Sequence, residues 1–167
     1  GGNAWTTVSS GVSTALYGVA AQEQGLVLAV GDGGVILRST NSGASFAKMT
    51  SGTTTNLRAV HIFTDKRAMV VGFGGIILRT IDGGATWSRA TSGTSSNLLA
   101  IAGRPTSQAV AVVAGGTIVR TSTSGSRWTT STSGTTEELR SVAWDVSSTI
   151  LAVGARGIIV KSTTSGT

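Results

Sequence analysis

The sequence contains no cysteine, a single proline and a single histidine among its 167 residues. The lack of cysteine excludes disulfide bonds, thiolate zinc sites and thiol nucleophiles, and one histidine excludes metal sites built from several imidazoles. Charged residues make up only 12% of the chain and hydrophobic residues 40%, a balance that argues against disorder. No apolar run approaches the roughly 18 residues that span a bilayer, so no membrane insertion is expected. These shortages predict a folded chain with few groups available for catalysis.

The charge of the chain is positive but evenly spread. Thirteen basic residues against seven acidic ones give a formal net charge of +6. No run of lysine or arginine concentrates that charge, and net charge alone is weak evidence for a nucleic-acid partner. A mildly basic surface is therefore expected, and nucleic acid is not the favoured partner.

What the chain does contain is a repeat of 41 residues. Trp5, Phe46, Trp87 and Trp128 are each separated by that interval. The segments SGTTTNLRAV (51–60), SGTSSNLLAI (92–101) and SGTTEELRSV (133–142) align at the same interval without a gap. A fixed period between 20 and 50 residues is typical of solenoids, propellers and other arrays.

Each unit reads as four short strands separated by turns. Alternating and β-branched residues predict strands at residues 57–63, 68–71, 75–80 and 86–91 of the second unit, and glycine-rich turns separate them. Four strands in about 40 residues are the blade of a β-propeller. The sequence therefore predicts an all-β, single-domain propeller over residues 1–167, with units at about 5–45, 46–86, 87–127 and 128–167.

The phase of the repeat predicts how the ring closes. The chain starts with the equivalent of a fourth strand, at residues 4–9, and its last unit stops after a third strand, at residues 157–163; residues 1–3 and 165–167 overlap in register. Docking the first strand on the last blade would remove two unpaired edges. Closure within one chain gives four blades, and exchange between two chains gives an eight-bladed homodimer. The small bulk of a 41-residue blade favours the dimer, and a piece of a longer propeller remains the third alternative.

The turn between third and fourth strands carries a recognisable motif. TIDGGATW (80–87) resembles the Asp-box of bacterial neuraminidase repeats, Ser/Thr-x-Asp-x-Gly-x-Thr-Trp, and STNSGASF (39–46) and TSTSGSRW (121–128) are degraded copies. A structural role is expected for this motif, because the polar side chain can accept backbone hydrogen bonds while glycines take positive φ and the aromatic ring fills the space under the turn. The residues expected in that role are Asn41, Asp82, Gly84, Trp87, Gly125 and Trp128.

The whole unit resembles more narrowly the photosystem II stability and assembly factor family of propellers and its bacterial relatives. The resemblance lies in G-x-G-G-x-I-x-R-T-x-D-G-G-x-T-W followed by S-G-T, and it covers the entire chain. It implies a non-enzymatic scaffold without a cofactor, which holds a protein partner on an arginine-rich face. It also favours a secreted, periplasmic or lumenal location.

Catalysis is not expected from the residues themselves. Sialidases share the Asp-box, and their chemistry needs a tyrosine nucleophile with a neighbouring glutamate, an arginine cluster and an acid. This chain has one tyrosine, Tyr17, and its only adjacent carboxylates are Glu137 and Glu138. Two neighbours on an extended chain point to opposite sides, so they cannot flank one bond. The sequence predicts that the protein is not an enzyme and has no metal site.

Candidate partner-binding residues are those that recur as arginine or that break the repeat. Arg38, Arg79 and Arg120 occupy one blade position, which Lys161 completes; Arg58 and Arg140 occupy another; Trp144 interrupts a series of small or aliphatic residues. The arginines can form a basic surface, or their stems can pack between blades with the charged ends in water. Trp144 can anchor a partner or fill a gap in the core. A carbohydrate-binding propeller and an engineered or excised self-assembling fragment remain the alternative functions.

Overall fold

The computed structural model describes residues 4–145 and 148–164, and within them the chain is built from antiparallel sheets. The first three sheets have four strands each and the fourth has three. The strands are β1 (Leu16–Ala21), β2 (Val27–Gly31), β3 (Ile36–Ser39), β4 (Ala47–Met49), β5 (Leu57–Ile62), β6 (Ala68–Gly72), β7 (Ile77–Thr80), β8 (Ser88–Ala90), β9 (Leu98–Arg104), β10 (Gln108–Val113), β11 (Thr117–Thr121), β12 (Thr129–Thr132), β13 (Leu139–Trp144), β14 (Ile150–Gly154) and β15 (Ile159–Ser162).

Each sheet is one blade whose strands follow chain order. Blade one contains β1 to β4, blade two β5 to β8, blade three β9 to β12 and blade four β13 to β15. Consecutive strands pair antiparallel, as Val60 with Val70 and Val70 with Leu78 show in blade two. This arrangement confirms the all-β, four-blade architecture that the 41-residue period predicts.

The turn between second and third strands is tighter than the sequence indicated. Residues 73–75 of blade two form a short 3-10 turn in which Gly74 and Gly75 have φ of 61° and 69°. The third strand therefore begins at Ile77, whereas the sequence placed its start at Gly75. Positive φ at two successive residues is accessible to glycine at little cost, which explains the Gly-Gly pair at this point in the first three units.

The hydrophobic core lies between blades rather than inside them. All five residues of β6 are buried, because both faces of this strand are covered by neighbouring blades. Between blades one and two, Leu28, Val30 and Ile36 pack with Leu57 and Val60. The inner strands pack in succession, β1 on β5, β5 on β9 and β9 on β13. Each fully buried Leu or Ile contributes about 1.5–3 kcal/mol, so these junctions hold the molecule together.

The expected closing strand is not formed. Residues 4–9 are exposed and have no strand structure, and β15 is the last strand of its sheet among the described residues. Closure within one chain, one of the alternatives that the sequence left open, is therefore not shown by this structure. A strand needs a neighbour for its backbone hydrogen bonds. Among the described residues, the contacts between inner strands run from blade one to blade four without a comparable contact returning to blade one. The overlapping residues 1–3 and 165–167 lie outside the described ranges.

No helix long and apolar enough to cross a membrane is found in residues 4–145 and 148–164.

Candidate partner-binding face

The Asp-box turn of blade two is organised by one carboxylate. Asp82 Oδ1 accepts hydrogen bonds from Thr80 Oγ1 at 2.7 Å and from the Thr86 backbone N–H at 2.9 Å, and Oδ2 accepts the Thr86 hydroxyl. The Thr80 hydroxyl oxygen in turn accepts the Gly84 N–H at 2.9 Å. The bonds from the Thr86 side chain and backbone, followed by that from Thr80, lower the pKa of Asp82 to about 2. The carboxylate is engaged in holding its own turn.

Other blades build the same turn with different side chains. In blade one Asn41 Oδ1 accepts from Ser39 Oγ at 2.7 Å and from the Ser45 N–H at 3.0 Å. In blade three Thr123 Oγ1 accepts the Arg127 N–H at 3.0 Å. An amide or a hydroxyl thus replaces the carboxylate, because the turn needs an acceptor and not a charge.

The tryptophans of these turns bind the backbone beneath them. Trp87 Nε1 donates to the Gly84 carbonyl at 3.1 Å, and Trp128 Nε1 donates to the Gly125 carbonyl at 3.2 Å. Gly84 and Gly125 have φ of 85° and 78°, values that favour glycine. Trp128 is buried and packs in the core between blades two and three. In both blades the aromatic side chain is thus anchored to a glycine of its own turn.

The recurring arginine of the third strand lies at the end of the blade that carries the Asp-box turn, here called the lower end. Arg38 Nε donates to the Gly83 carbonyl of the next blade at 2.7 Å. Arg120 Nε donates to Ser131 Oγ of its own blade at 3.2 Å. Arg79 lines a narrow cavity between blades two and three, beside Phe63. The guanidinium groups of Arg38 and Arg120 thus hold neighbouring parts of the molecule together.

Arg58 lies at the opposite end of the blades and is held against aromatic rings. Its guanidinium carbon is 4.0 Å from the centre of the Tyr17 ring and 5.4 Å from that of Phe73. The Tyr17 hydroxyl donates to Asp32 Oδ2 at 2.9 Å, and this hydrogen bond is the main reason that the pKa of Tyr17 is raised. Packing between rings from blades one and two orients the guanidinium of Arg58 at that end of the molecule.

Two further arginines occupy the same end of blade four. Arg140 Nε donates to Glu138 Oε1 at 2.6 Å, and Arg156 Nε lies 3.6 Å from Glu137 Oε2. All four side chains are at least partly exposed to solvent. Arg58 and Arg140 are each the second residue of an inner strand. They lie next to the turns that contain Phe73 and Arg156, because Leu57 pairs with Gly72 and Leu139 with Gly154. We call the surface that carries Tyr17, Arg58, Phe73, Arg140 and Arg156 the upper face.

Arg156 is the functional candidate that the sequence reasoning missed. It has φ of 52°, whereas Gly33, Gly74 and Gly115 occupy the same place in the other units. A non-glycine residue in this left-handed region costs free energy, which makes the arginine a candidate for a functional role. The signal was available, because Arg156 is the one residue that breaks a series of glycines.

The structure does not bring all six predicted binding residues together. Arg58 and Arg140 lie on the upper face, whereas Arg38, Arg79 and Arg120 lie toward the lower end. Trp144 ends its inner strand opposite Ile150, also away from the upper face, and is half-buried against Ala102, Val110 and Ile150. Its Nε1 has no hydrogen-bond partner among the described residues.

The single histidine packs as part of the interior. The ring of His61 makes an edge contact with Phe63, with ring centres 4.6 Å apart. Burial lowers the pKa of His61, and a hydrogen bond to the Gly103 backbone acts in the opposite direction. Across residues 4–145 and 148–164, no group of three or more histidine, cysteine, aspartate or glutamate side chains could hold a metal ion.

Comparison with known proteins places this architecture among characterised propellers. The sequence model of the family described as Photosynthesis system II assembly factor YCF48 matches residues 2–166. No curated protein matches the sequence. A solved structure described as "YCF48 bound to D1 peptide" is similar with a TM-score of 0.75 and 18% identity, over 90% of this chain and 52% of that chain. The chain therefore spans about half the length of that YCF48 structure.

Two other similar structures differ in origin. The computationally designed Ika4 protein matches with a TM-score of 0.77 and 15% identity, over 95% of this chain and 98% of that chain. An ancestral GH74 enzyme matches with a TM-score of 0.76 and 20% identity, over 99% of this chain and 25% of that chain. At such identities these likenesses show the fold alone. Together with the family match they confirm the predicted Asp-box propeller.

Proposed function

This chain belongs to the family of the photosynthesis system II assembly factor YCF48, and from that membership we propose that it is a non-catalytic propeller whose upper face binds a peptide segment of a protein partner. A YCF48 structure with a D1 peptide supports a protein-binding role for the fold. The observation that carries the proposal is the placement of Arg58, Arg140 and Arg156 on one face, with Arg58 held between two aromatic rings.

Arg58 is suited to binding a carboxylate or a backbone carbonyl. Its guanidinium lies against the ring of Tyr17 at 4.0 Å, and a guanidinium fixed in this way loses little rotamer entropy on binding a ligand. The aromatic rings of Tyr17 and Phe73 offer apolar area beside it. Aromatic residues next to arginine are the composition found at the energetic centre of protein interfaces.

Arg140 and Arg156 are held by ion pairs that a ligand can replace. Their partners Glu138 and Glu137 lie in the loop before β13, at the surface. Exposed ion pairs of this kind contribute only about 0–1 kcal/mol. An incoming acidic group can therefore displace either glutamate at small cost, which favours a partner peptide with acidic residues.

The two glutamates that pair with arginines of the upper face favour binding over hydrolysis. Glu137 and Glu138, the one adjacent pair in the sequence, pair with different arginines of blade four. Glycoside hydrolysis requires two carboxyl groups on either side of one bond. The GH74 likeness, at 20% identity, carries no argument about activity.

The test is a titration of a fluorescently labelled D1 peptide by anisotropy, because that is the peptide class bound in the similar YCF48 structure. The triple variant Arg58→Ala, Arg140→Ala, Arg156→Gly should weaken binding at least about tenfold, since a hydrogen bond to a charged group is worth roughly 1.5–3 kcal/mol. The matched control Arg79→Ala, Arg120→Ala, Lys161→Ala removes the same charge from other positions and should change the affinity less than about twofold.

A scrambled peptide of the same composition completes the test. If both triple variants lose affinity equally, or if the scrambled peptide binds as well, attraction to net charge explains the binding and the upper face has no specific role. Circular dichroism of each variant shows whether the fold is retained.

A further inference from the structure

Blade one has a leading face, turned away from blade two, on which some apolar residues are exposed whose counterparts in later blades are buried or partly buried. Each blade's opposite side, turned toward the next blade, is called its trailing face. Val19 is 71% exposed, whereas Val60 at the same place in blade two is 8% exposed. Leu16 is likewise exposed, whereas Leu57 is fully buried. The difference arises from position in the array, since blade one has no preceding blade to cover this face in the structure.

The trailing face of blade four is uncovered in the complementary way. Ile159 is 67% exposed, whereas Ile36 at the same place in blade one is fully buried. Leu151 and Val153 are also exposed, and they stand where blade one has buried leucine and valine. An apolar sheet face of this kind in water is a binding surface or an aggregation hazard.

The junction between blades one and two shows what fits these faces. There, Leu28, Val30 and Ile36 of one blade pack against Leu57 and Val60 of the next. The uncovered faces carry the counterparts of these residues. On blade four, Leu151, Val153 and Ile159 occupy the repeat positions of Leu28, Val30 and Ile36. On blade one, Leu16 and Val19 occupy those of Leu57 and Val60. The trailing face of blade four is therefore complementary to the leading face of blade one.

We infer that a second copy of this chain covers both faces, with blade four of each copy packed on blade one of the other, and that the pair closes into a ring of eight blades. The contact is head to tail, and two such contacts related by a two-fold axis leave no face uncovered. Within the chain the same contact is already made three times, between successive blades.

The segment at residues 4–9 fits the free edge of the same junction. Trp5 is 92% exposed, although Trp87 and Trp128 at its place in other units donate to the glycine carbonyl of their turns. Blade four presents the unpaired edge of β15. When a second copy packs its blade one on blade four of the first copy, its residues 4–9 reach the edge of β15. There they can serve as the fourth strand of that blade.

Inner strands approach closely enough for a steric test. A Cβ built on Gly18 would lie 3.0 Å from Ala59 Cα of the next blade. Ser141 holds the place of Gly18 in blade four and is exposed in the single chain. In the ring its side chain would face Gly18 of the second copy, so a large residue there blocks docking without disturbing contacts inside the chain.

The experiment is light scattering after size exclusion of the 167-residue chain over a hundredfold range of concentration. The expected mass is twice the chain mass of 16.7 kDa. Ile159→Glu and Ser141→Arg should each return the mass to that of one chain. The matched control Ile81→Glu places the same charge at an apolar residue that is 70% exposed but belongs to neither end face, and it should remain dimeric.

Three results would overturn the inference. A single-chain mass at every concentration would mean that two copies do not cover these faces, and would point to further blades of a longer chain. A mass that grows with concentration would mean open filaments rather than a closed ring. A dimer that survives both end-face variants but not Ile81→Glu would place the contact elsewhere. Circular dichroism confirms that the variants fold, and the two substitutions act by different means, one by charge and one by bulk.

Discussion

At the scale of single residues, the repeat shows which chemistry a turn requires and which it tolerates. Asp82, Asn41 and Thr123 all accept a backbone N–H four residues later in the chain. Only the first is charged, so charge is dispensable for the turn, although it makes the turn of blade two sensitive to acid.

The acid sensitivity of Asp82 leads to a prediction for Asp82→Asn. The pKa of Asp82 is about 2 in the folded protein against 3.8 ordinarily, so its ionised form is favoured by folding. The resulting stability is complete above about pH 5 and is lost as the pH falls through 4 toward 2. Urea unfolding should show this decline in the parent protein and a smaller one in Asp82→Asn.

Asp82→Ala is the companion variant. Asparagine keeps the acceptor that Thr80 and Thr86 use, as Asn41 does in blade one, so Asp82→Asn should cost less than about 1 kcal/mol at pH 7. Alanine removes the acceptor and should cost about 1 kcal/mol or more, by analogy with helix caps. If the stability of Asp82→Asn declined with pH as steeply as that of the parent, another carboxylate would be responsible.

At the scale of elements, adjacent glycines in one turn have unequal importance. Gly74 and Gly75 both have positive φ, but a Cβ on Gly74 would meet nothing within 4 Å, whereas a Cβ on Gly75 would lie 1.9 Å from the Thr94 carbonyl oxygen. The second strand, the turn and the loop before the next blade are therefore locked together at this one position.

The pair Gly74→Ala and Gly75→Ala separates backbone conformation from steric contact. Gly74→Ala should cost about 1–2 kcal/mol, the penalty for the left-handed region alone. Gly75→Ala carries the same penalty and must also displace a backbone carbonyl, so it should cost at least about 2 kcal/mol more, measured by urea unfolding. Equal costs for the two variants would show that the loop at Thr94 moves freely.

Strand positions followed from the sequence better than strand ends. Ala68–Gly72 matches the predicted second strand to within one residue, since an unbroken apolar run is typical of a strand covered on both faces. The fourth strand of blade two is only Ser88–Ala90, shorter than predicted, because it pairs on one side and neighbouring residues belong to the turn and the loop. Pairing partners set these limits, and a single sequence does not name them.

At the scale of the whole molecule, the four blades form an array whose two ends are unlike its middle. The junctions between blades bury apolar residues from both sides, and the end faces offer the same residues to solvent. Repeat proteins are stabilised by contacts between neighbouring units, so the terminal units are the least stable when nothing covers them.

Hydrogen exchange should reveal this gradient. At a concentration low enough to keep the chain single, amides of Ile159–Ser162 should exchange faster than those of Ile77–Thr80, the equivalent strand of blade two. Among the described residues β15 has a free edge, whereas β7 is paired on both sides. Equal protection of the two strands under these conditions would contradict the free edge, and mass spectrometry of peptic fragments distinguishes the two results.

The sequence by itself determined the blade, the number of blades and the turn motif, because these depend on interactions within 41 residues and are written four times. It also placed Arg58 and Arg140 among the binding candidates. The tertiary structure decided which arginines share a face: Arg38 and Arg58 are both candidates from the repeat but stand at opposite ends of the blades. It also leaves residues 4–9 without a strand partner within the described part of this chain, since a closing strand needs a partner edge that only the relative placement of the first and last blades can supply.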